Sequence, residues 1–502
     1  MATRFGRFTV MGATLHGVEA VPVTVEVVVS TGLPAFNIVG MPDAAIQEAR
    51  ERIKAACRAC GYTMPAEKVV VNLAPGSLRK SGSGFDLPIA VALLAATSQI
   101  NVGLASGKVF VGELSLDGAV RPVPGLLAYA LCARGMGADF VCSSDAEALV
   151  EIDGLRVFGA STMSCFRLDD LPVAVSAPSP APAAQADYRD IAGHDVAKRA
   201  LQVAAAGGHG LLMLGPPGSG KTMLASRLPS ILPPLDQRER LETAVIHSVA
   251  KEPVEPILGG ARPFRRPHHS ATLAGLVGGG NPIRPGEVTL AHNGVLFLDE
   301  LSEFRPAVLQ GIRQPIETGE VVLTRADGTC RFPARFSLVA ASNPCPCGYY
   351  GDSEHDCRCT SVQVSNYQNK IGGPIMDRID IHLDVRRLSS AEVLRTGSGT
   401  SSESLREGVL AAREFAAWRR AAKPVPEGLG PAERLMARCA MGDEDRLFLE
   451  EAVAAGGMSG RAIMRTLALA RTIADLAQRE SVGRAHLCEA MALRMRDGGE
   501  RL

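Results

Sequence analysis

The sequence is poor in aromatic residues and has no excess of charge of either sign. Phe, Trp and Tyr make up 4% of its 502 residues, and Trp418 is the single tryptophan, which argues against a long base-stacking platform of the single-strand-binding kind. The 53 Lys and Arg residues balance 53 Asp and Glu residues. No long-range field therefore favours nucleic acid or an acidic membrane, and any such partner must be held by local patches.

Long apolar runs and a secretory signal are also missing. The longest apolar run, Leu87 to Ala96, is well short of the roughly 20 residues of a membrane-spanning helix. The start of the chain lacks the apolar core and cleavage site of a signal peptide. Eight of the twelve cysteines are scattered along the chain. These absences predict a cytoplasmic protein with reduced thiols and no membrane partner.

The length predicts roughly two to four domains, and composition suggests where they meet. In residues 1–172 short apolar strands alternate with helical patterns, which predicts an α+β domain, and a Pro/Ala-rich linker follows at 173–187. Residues 188–395 show the pattern of a parallel sheet with crossover helices. Residues 396–502 are purely helical in pattern. The predicted fold class is therefore α/β, with a helical C-terminal domain.

A glycine-rich loop stands between a predicted strand and a predicted helix. It reads GPPGSGKT and comprises Gly215, Pro216, Pro217, Gly218, Ser219, Gly220, Lys221 and Thr222. In such a loop backbone N–H groups surround the β-phosphate, Lys221 reaches the β- and γ-phosphates, and the Thr222 hydroxyl binds Mg²⁺. The flanking strand and helix favour this interpretation over a chance glycine-rich turn, so ATP and Mg²⁺ are the expected ligands.

Two further apolar strands end in polar residues. VLFLDE ends in Asp299 and Glu300, and FSLVAAS is followed by Asn343. If these strands end at the same sheet edge as the glycine-rich loop, Asp299 holds Mg²⁺ through water, Glu300 polarises the attacking water and Asn343 orients it. The alternatives are a strand that ends in solvent for the two acids, and a turn before Pro344 for Asn343.

Two arginines are candidates for contacts with the γ-phosphate. Arg378, in GPIMDRID, is the candidate finger that reaches a neighbouring subunit's nucleotide, and a structural ion pair with Asp377 or Asp380 is its alternative. Arg461 and Arg465 lie four apart on a predicted helix. Arg461, at the helix start, is the candidate that closes over the γ-phosphate within its own subunit, and an exposed basic face is the alternative.

Together these motifs resemble those of the AAA+ ATPases. Over essentially the whole chain, strings such as PFRRPHH, NPCPCGYYGD and GPIMDRIDIHLDV are similar to those of the ComM/YifB family of magnesium-chelatase-like AAA+ ATPases. The resemblance implies an AAA+ core with a helical lid, assembled as a hexameric ring that binds single-stranded or branched DNA. It further implies helicase or branch-migration activity in homologous recombination or natural transformation. The segment from Tyr188 to Leu201 resembles the part of the family that lies next to the adenine of ATP. His194 stands in it where the resemblance predicts a Gln.

Local basic residues would have to make the DNA contacts. The segment from Gly319 to Pro333 has two β-rich arms around Asp327-Gly328, which predicts a hairpin, and its position resembles that of the pore-lining hairpin of helicase-type AAA+ rings. An ordinary solvated hairpin is the alternative. A ring repeats each contact in every subunit, which reconciles DNA binding with zero net charge. The candidate phosphate contacts are Arg265, Arg266, Arg325 and Arg331.

Four of the twelve cysteines are spaced like the ligands of a metal ion, and the other eight are not. Cys345, Cys347, Cys357 and Cys359 make two C-x-C pairs joined by a turn-rich segment. Two close pairs of thiolates suit a tetrahedral structural Zn²⁺, with His355 as a possible substitute ligand. Free surface thiols or a redox pair are the alternatives.

The N-terminal region resembles the proteolytic domain of Lon in the strings KSGSGFDLPIAVALLAA and GELSLDGAVRPVPGLL. A Ser–Lys peptidase needs a lysine that deprotonates its serine. Here Leu127 and Gly84 occupy those two positions, with Ser81 and Ser83 only nearby. The resemblance therefore implies an inactive member of this fold, used for DNA binding or ring assembly.

A protein-remodelling ATPase, such as the motor subunit of a magnesium chelatase, is the alternative function for the whole chain. The name of the larger group keeps this alternative open. The chain, however, lacks the Asp-x-Ser-x-Ser pattern of a metal-adhesion module.

Overall fold

The computed structural model describes residues 6–145, 152–169, 171–174, 186–280, 283–325, 328–352, 354–370, 373–376, 379–389, 392 and 399–494. Within these ranges the chain has a mixed α/β fold with two large sheets and a helical C-terminal unit, which confirms the predicted fold class. In the same ranges no helix is long and apolar enough to cross a membrane. Most of the predicted linker, residues 175–185, lies outside the described residues, as does Arg378.

The N-terminal unit is built on one large sheet. Its strands are β1 (Gly6–His16), β2 (Glu19–Ser30), β3 (Ala35–Val39), β4 (Lys68–Ala74), β5 (Lys108–Phe110), β6 (Glu113–Leu114), β7 (Val120–Arg121), β8 (Asp139–Ser143) and β9 (Val157–Ala160). Seven of these described strands form one sheet in the order β3-β4-β2-β1-β5-β8-β9, and β6 pairs with β7. The long antiparallel hairpin of β1 and β2 lies at the centre of this sheet.

Five helices accompany this sheet in the described part of the unit. They are α1 (Ala44–Ala59), α2 (Asp86–Ala96), α3 (Val102–Ala105), α4 (Leu126–Gly135) and α5 (Ser164–Leu168). The longest apolar run of the sequence is α2, and every residue of it is buried, as expected for a helix that is hydrophobic on all sides. Asp43 starts α1, because its carboxylate accepts the backbone N–H of Ile46 at 2.9 Å.

The central unit contains a second sheet whose main strands are parallel. Its strands are β10 (Leu211–Leu214), β11 (Phe264–Arg265), β12 (Gly278–Gly279), β13 (Arg284–Pro285), β14 (Val295–Leu298), β15 (Glu320–Arg325), β16 (Gly328–Pro333), β17 (Ser337–Ser342) and β18 (Ile381–Asp384). Among the described residues, five of them form a parallel sheet in the order β11-β14-β17-β10-β18. Strands β10 and β14 are buried along their whole length, as the strands of a parallel sheet covered on both faces should be.

Short helices connect these strands. They are α6 (Asp195–Gly207), α7 (Lys221–Ser226), α8 (Leu228–Ile231), α9 (Gln237–Ala250), α10 (Glu255–Leu258), α11 (Leu273–Val277), α12 (Glu287–Leu290), α13 (Pro306–Gly311), α14 (Arg313–Thr318), α15 (Ser361–Lys370) and α16 (Gly373–Met376). Strand β10 lies between β17 and β18. The residues that follow β10, β14 and β17 therefore meet at one edge of the sheet.

The C-terminal unit is helical throughout its described length. Its helices are α17 (Ser402–Ala422), α18 (Pro431–Cys439), α19 (Asp443–Gly456), α20 (Gly460–Leu476) and α21 (Arg484–Ala492). Helix α17 packs against α6 and α20. Its start is tied to the start of the central unit, because the Ser402 hydroxyl accepts the backbone N–H of Tyr188 at 2.9 Å and the Ser402 N–H donates to Asp187 at 2.8 Å.

The N-terminal unit has a hydrophobic cluster of its own, and a second cluster extends from this unit into the central unit. Leu127 of α4 and Val245 of α9 both belong to it, and the backbone N–H of Gly125 donates to Ser248 O at 3.0 Å. The tip of the β1–β2 hairpin reaches further, since His16 Nε2 lies 3.7 Å from Cys330 Sγ on β16. The N-terminal unit is thus packed directly on the hairpin of β15 and β16.

Candidate active site

The glycine-rich loop joins β10 to α7 and can accept a phosphate group. Gly218 and Gly220 have φ values of 77° and 86°, a left-handed conformation that glycine adopts without strain. A Cβ on Gly215 would lie 2.2 Å from Val385 O, whereas a Cβ on Gly218 would meet nothing within 4 Å. The buried Ser219 hydroxyl has no hydrogen-bond partner among the described residues. An open cradle with an unsatisfied donor fits the phosphates of ATP.

Lys221 is held ready at the centre of this loop. Its Nζ donates to Gly215 O at 2.7 Å, to Pro216 O at 2.9 Å and to Asn343 Oδ1 at 3.3 Å. Burial lowers the pKa of Lys221 to about 8, and the charges of Asp299 and Glu300 oppose this shift. The ammonium group is therefore poorly solvated, and the negative charge of a triphosphate would stabilise it.

Thr222 and Asp299 provide oxygen atoms suited to Mg²⁺. Thr222 Oγ1 donates to Asp299 Oδ2 at 3.0 Å, so a hydroxyl and a carboxylate from two different elements meet at one point. Mg²⁺ prefers such oxygen ligands and retains several waters. The same Oδ2 atom accepts a hydrogen bond from Arg266 at 2.6 Å. The Arg266 guanidinium thus competes with a metal ion for Asp299.

Glu300 lies directly beyond Asp299 in an unusual backbone conformation. Its φ is 53°, a left-handed value that costs free energy for a residue other than glycine and is found most often at functional sites. Its side chain is about half exposed, and its Oε2 atom lies 3.3 Å from His269 Nδ1. The exposed carboxylate can reach a water molecule, and His269 is the side chain that orients it.

Asn343 completes the group at the end of β17. Strand β17 pairs with both β10 and β14, and this position brings the Asn343 amide into contact with Lys221. The structure therefore brings together Lys221, Thr222, Asp299 and Asn343, the side chains that the sequence placed on three strand ends. A water between Glu300 and Asn343 is the geometry that hydrolysis of a γ-phosphate requires.

His194 lies beside the glycine-rich loop, at the start of α6. Its Nε2 atom is 3.6 Å from the place that a Cβ on Gly220 would take, and its φ is 57°. Burial lowers the pKa of His194, with the positive charges of Lys198 and Arg386 acting in the same direction. A neutral imidazole that can donate and accept hydrogen bonds suits the adenine side of the site.

The structure describes one of the two candidate γ-phosphate arginines. Arg378 lies outside the described residues. Arg461 is exposed in the first turn of α20. Arg465, one turn later, pairs with Asp380 at 3.1 Å, and the other oxygen of Asp380 lies 3.2 Å from His209 Nδ1. Arg465 is thus committed to a structural contact, whereas the roles of Arg378 and Arg461 stay predictions.

Three of the four candidate DNA arginines already have acidic partners. Arg265 pairs with Glu287 at 2.7 Å and with Glu252 at 3.3 Å, so two carboxylates neutralise its charge. Arg266 is bound to Asp299 in the active site, and only Arg331, paired with Glu320 at 2.8 Å, is largely exposed on the hairpin. The placement of Arg265 and Arg266 argues against direct DNA contacts, while Arg325 and Arg331 stay candidates.

The four-cysteine cluster has the dimensions of a zinc site. Cys345 Sγ lies 3.4 Å from Cys347 Sγ and 3.7 Å from Cys357 Sγ, and all four candidate sulfur atoms lie within 4.8 Å of one another. Sulfur atoms around a tetrahedral Zn²⁺ are separated by about 3.8 Å. Hydrogen bonds from the backbone of Tyr349 and Arg358 lower the pKa of the Cys347 thiol to about 6. A thiolate there is the form that binds metal.

The cysteine cluster is part of the wall of the active site. Cys345 follows Asn343 by two residues, and a Cβ on Gly348 would lie 2.7 Å from Pro217 of the glycine-rich loop. Arg387 donates to Pro217 O at 2.8 Å and lies 3.4 Å from His355 Nδ1. His355 therefore supports the loop instead of belonging to the thiol group. The sequence did not predict this contact between the two motifs, because it depends on tertiary packing.

Comparison with known proteins extends over nearly the whole chain. The family model described as "Magnesium chelatase, subunit ChlI" matches residues 187–393, and two further models, for subunit ChlI and for its C-terminal part, match residues 25–146 and 399–494. YifB of Salmonella typhimurium is 42% identical over 96% of both chains. Competence protein ComM of Haemophilus influenzae is 41% identical over 95% of both.

The chain belongs to the ComM/YifB family of magnesium-chelatase-like AAA+ ATPases. Membership in this AAA+ family implies ATPase activity, with ATP and Mg²⁺ as ligands. A more distant relative, the magnesium-chelatase 67 kDa subunit of Chlorobaculum parvum, is 29% identical over 31% of this chain and 23% of its own length.

The residues that the sequence missed at the active site are Arg266 and His269. Both belong to the PFRRPHH string, of which we interpreted Arg265 and Arg266 as candidate DNA contacts. In the structure Phe264 and Arg265 of this string form β11, which pairs in parallel with β14, and the string therefore ends beside Asp299 and Glu300. An arginine and a histidine directly after a strand that neighbours the acidic strand are the signal that could have indicated their place.

Proposed function

We propose that this AAA+ ATPase is a DNA motor, a helicase or branch-migration factor that works as a hexameric ring in homologous recombination or natural transformation. Support comes from the name of one relative, Competence protein ComM. That name concerns the acquisition of DNA by cells, and the similarity covers nearly the full length of both chains. A DNA substrate explains a role in competence more directly than a protein substrate does.

The observation that carries the proposal is the position of the β15–β16 hairpin. The hairpin is fully paired from Glu320–Pro333 to Arg325–Gly328, and its second arm leads after three residues into β17, the strand that ends at Asn343. Its base is closed by a hydrogen bond of 2.8 Å from Ala334 N to Gly319 O. A displacement of the hairpin by bound DNA would therefore reach Asn343 through a three-residue connection and β17.

The N-terminal unit holds this hairpin from its other side. A Cβ on Gly17 would lie 3.6 Å from the ring of Phe332, and Phe332 is completely buried. Together with the contact between His16 and Cys330, this anchors one arm of the hairpin and leaves Arg331 exposed. We infer that the N-terminal unit positions the hairpin for DNA.

We expect DNA to stimulate ATP hydrolysis, and Arg331→Gln to reduce that stimulation while basal hydrolysis stays unchanged. Each lost phosphate contact should weaken binding and lower the salt dependence of binding, since fewer counterions are released. The measurement is steady-state ATPase activity with forked and four-way DNA, together with strand displacement and branch migration.

Arg313→Gln is the matched control for this test. Arg313 is half exposed and faces Glu317 at 4.0 Å on the neighbouring helix α14, so its replacement removes the same charge close to the hairpin. DNA stimulation should be normal in this variant. Failure of the wild-type protein to bind forked or four-way DNA at low salt would contradict the proposed function.

A chelatase-type motor that remodels a protein partner is the second candidate. The family descriptions and the partial similarity to a magnesium-chelatase subunit favour it. It predicts that a protein partner, retained without any dependence on DNA, stimulates ATP hydrolysis. DNA-stimulated ATPase activity without such a partner distinguishes the first candidate from this one.

We infer that the Lon-like N-terminal unit is not a peptidase. The buried Lys80 Nζ donates to the backbone carbonyls of Gly40 and Leu73, at 2.9 and 3.0 Å, and to that of Pro75. Ser83 is hydrogen bonded to Glu113. Among the described residues no hydrogen bond joins a lysine to Ser81 or Ser83, so neither of these serines has the base that it would need.

We further propose that the cysteine cluster binds one structural Zn²⁺. Purified protein should contain about one zinc ion per chain, and Cys357→Ser should lose it. Because the cluster supports Pro217 and Asn343, the variant should have a lower melting temperature and a higher KM for ATP. Metal analysis, thermal unfolding and steady-state kinetics measure these effects.

Cys488→Ser is the control for the zinc proposal, because Cys488 is an exposed thiol outside the cluster. Its zinc content and KM should match those of the wild type. Wild-type protein that carries no zinc after purification without chelators, or a Cys357→Ser protein with full zinc content, would be inconsistent with the proposed site.

A further inference from the structure

A basic cleft of about 540 Å³ opens on the helical C-terminal unit, away from the nucleotide site. It lies between the C-terminal end of α17, the segment that follows it and α18. Five cationic residues line it: Arg419, Arg420, Lys423, Arg434 and Arg438. We define these residues and the space between them as the lid cleft.

Two of the five cationic side chains form ion pairs with acidic residues outside the cleft lining. Arg419 is buried and forms two hydrogen bonds of 3.0 Å with the carboxylate of Asp475, and Lys423 pairs with Glu480. The same Asp475 carboxylate also accepts from Arg471 at 3.0 Å. One acid is thus shared by two arginines, which leaves positive charge beneath the cleft.

The other three arginines have no acidic partner for their side chains among the described residues. Arg420, Arg434 and Arg438 are exposed, and Glu427 is the one acid that lines the cleft. Arg434 and Arg438 lie one turn apart on α18, where two like charges destabilise a helix. An anion between these guanidinium groups removes that repulsion.

The cleft is rigid enough to act as a site. Arg438 O accepts hydrogen bonds from Arg471 at 3.3 Å and from Arg419 at 3.5 Å. The buried ion pair between Arg419 and Asp475 thus fixes the end of α18 against α20. The three unpartnered guanidinium groups therefore project from a supported frame.

We infer that the lid cleft binds the phosphodiester backbone of single-stranded nucleic acid, a contact that rests on the proposed DNA-dependent function. Guanidinium forks match phosphate oxygens with two hydrogen bonds, and the volume is in the range of ligand-sized pockets. Trp418, which precedes Arg419 in the sequence, is about half exposed and packs against Phe415 with ring centroids 5.3 Å apart, but it does not line the cleft. The proposed contact is therefore to the phosphate backbone and does not depend on base stacking.

Trp418 also makes the inference measurable, because it is the only tryptophan of the chain. Titration of the full-length protein with oligothymidylate should change its fluorescence. In R434Q/R438Q we expect on the order of tenfold weaker binding, and a slope of log K against log salt that is smaller by about 1.4 for two lost phosphate contacts. R434K/R438K should retain most of the affinity, since the charges remain.

R406Q/R446Q is the matched control. It removes two exposed arginines from α17 and α19, outside the cleft, and should bind oligothymidylate like the wild type. Basal ATPase activity and thermal unfolding should be the same in all these variants, because none of these arginines lies at the nucleotide site. A general loss of charge is thereby separated from loss of the cleft.

The possible outcomes distinguish this inference from the proposed function. If the wild type binds DNA and R434Q/R438Q binds it equally well, the cleft assignment is overturned while the DNA motor stands. Saturation of the Trp418 signal by inorganic pyrophosphate without oligothymidylate binding, or equal affinity for polyglutamate, would also overturn it. A wild type that binds no DNA at low salt overturns both.

Discussion

Glu300→Gln should bind ATP with wild-type affinity and hydrolyse it about 10² to 10⁴ times more slowly, the usual contribution of a general base. The carboxylate is exposed beyond the end of β14, and no hydrogen bond connects it to the glycine-rich loop among the described residues. An amide of the same shape therefore leaves the phosphate cradle intact. It cannot take the proton of the attacking water, so the nucleotide stays bound and assembled rings accumulate.

Lys221→Ala should instead lose nucleotide binding. Its Nζ is the buried cation of the cradle, and burial has already lowered its pKa to about 8. Removal of this charge leaves the β- and γ-phosphates without their main counter-charge. Equilibrium binding of a fluorescent ATP analogue separates the two variants, and size-exclusion chromatography with ATP should show rings for Glu300→Gln alone.

Equal loss of ATP binding in both variants would show that Glu300 holds the nucleotide and does not activate water. His269→Ala provides a second comparison, because its imidazole is the group that lies 3.3 Å from the Glu300 carboxylate. If His269 only positions that carboxylate, its removal lowers kcat and leaves the affinity for ATP unchanged.

The catalytic side chains could be predicted from sequence because their signals are local. LLML and VLFL are short apolar strands, and each is followed at once by polar residues. A parallel sheet brings such strand ends to one edge. The sequence thus predicted Lys221, Asp299 and Asn343 at one site without any knowledge of strand order.

The roles of Arg266 and His269 could not be predicted in this way, because they depend on a strand pairing. Strand β11 has only two residues, and it joins the sheet through the register of Phe264 with Val295 and Arg265 with Leu296. That register places the following residues beside Asp299. In the sequence alone the same residues form a basic cluster, which is why it suggested DNA.

Strand β1 also depends on a contact that the sequence does not show. Gly12 interrupts the apolar pattern of β1, and a glycine within a strand usually weakens it. In the structure a Cβ at Gly12 would lie only 3.3 Å from Pro88 on the buried helix α2. The glycine therefore permits a close approach between strand and helix, and tertiary packing outweighs local propensity.

Arg378→Ala should lower kcat by about 10³ to 10⁵, the range for an arginine finger, with little change in ATP affinity. The structural alternative for Arg378 was an ion pair with Asp377, which lies outside the described residues, or with Asp380. That carboxylate already receives Arg465 on one oxygen and faces His209 with the other. Since these two contacts satisfy Asp380, it has no need of Arg378, which favours a role for Arg378 between subunits.

Mixed rings give the decisive form of this experiment. Arg378→Ala subunits have an intact glycine-rich loop and Glu300, and Glu300→Gln subunits bind ATP and have an intact Arg378, although each variant alone should be inactive. If the finger acts in trans, mixing restores activity at about a quarter of the interfaces of a randomly mixed ring. If it acts in cis, every subunit lacks one essential group, and mixing restores nothing even though mixed rings form. Recovery at an intermediate ratio therefore identifies a nucleotide site that is completed by the neighbouring subunit.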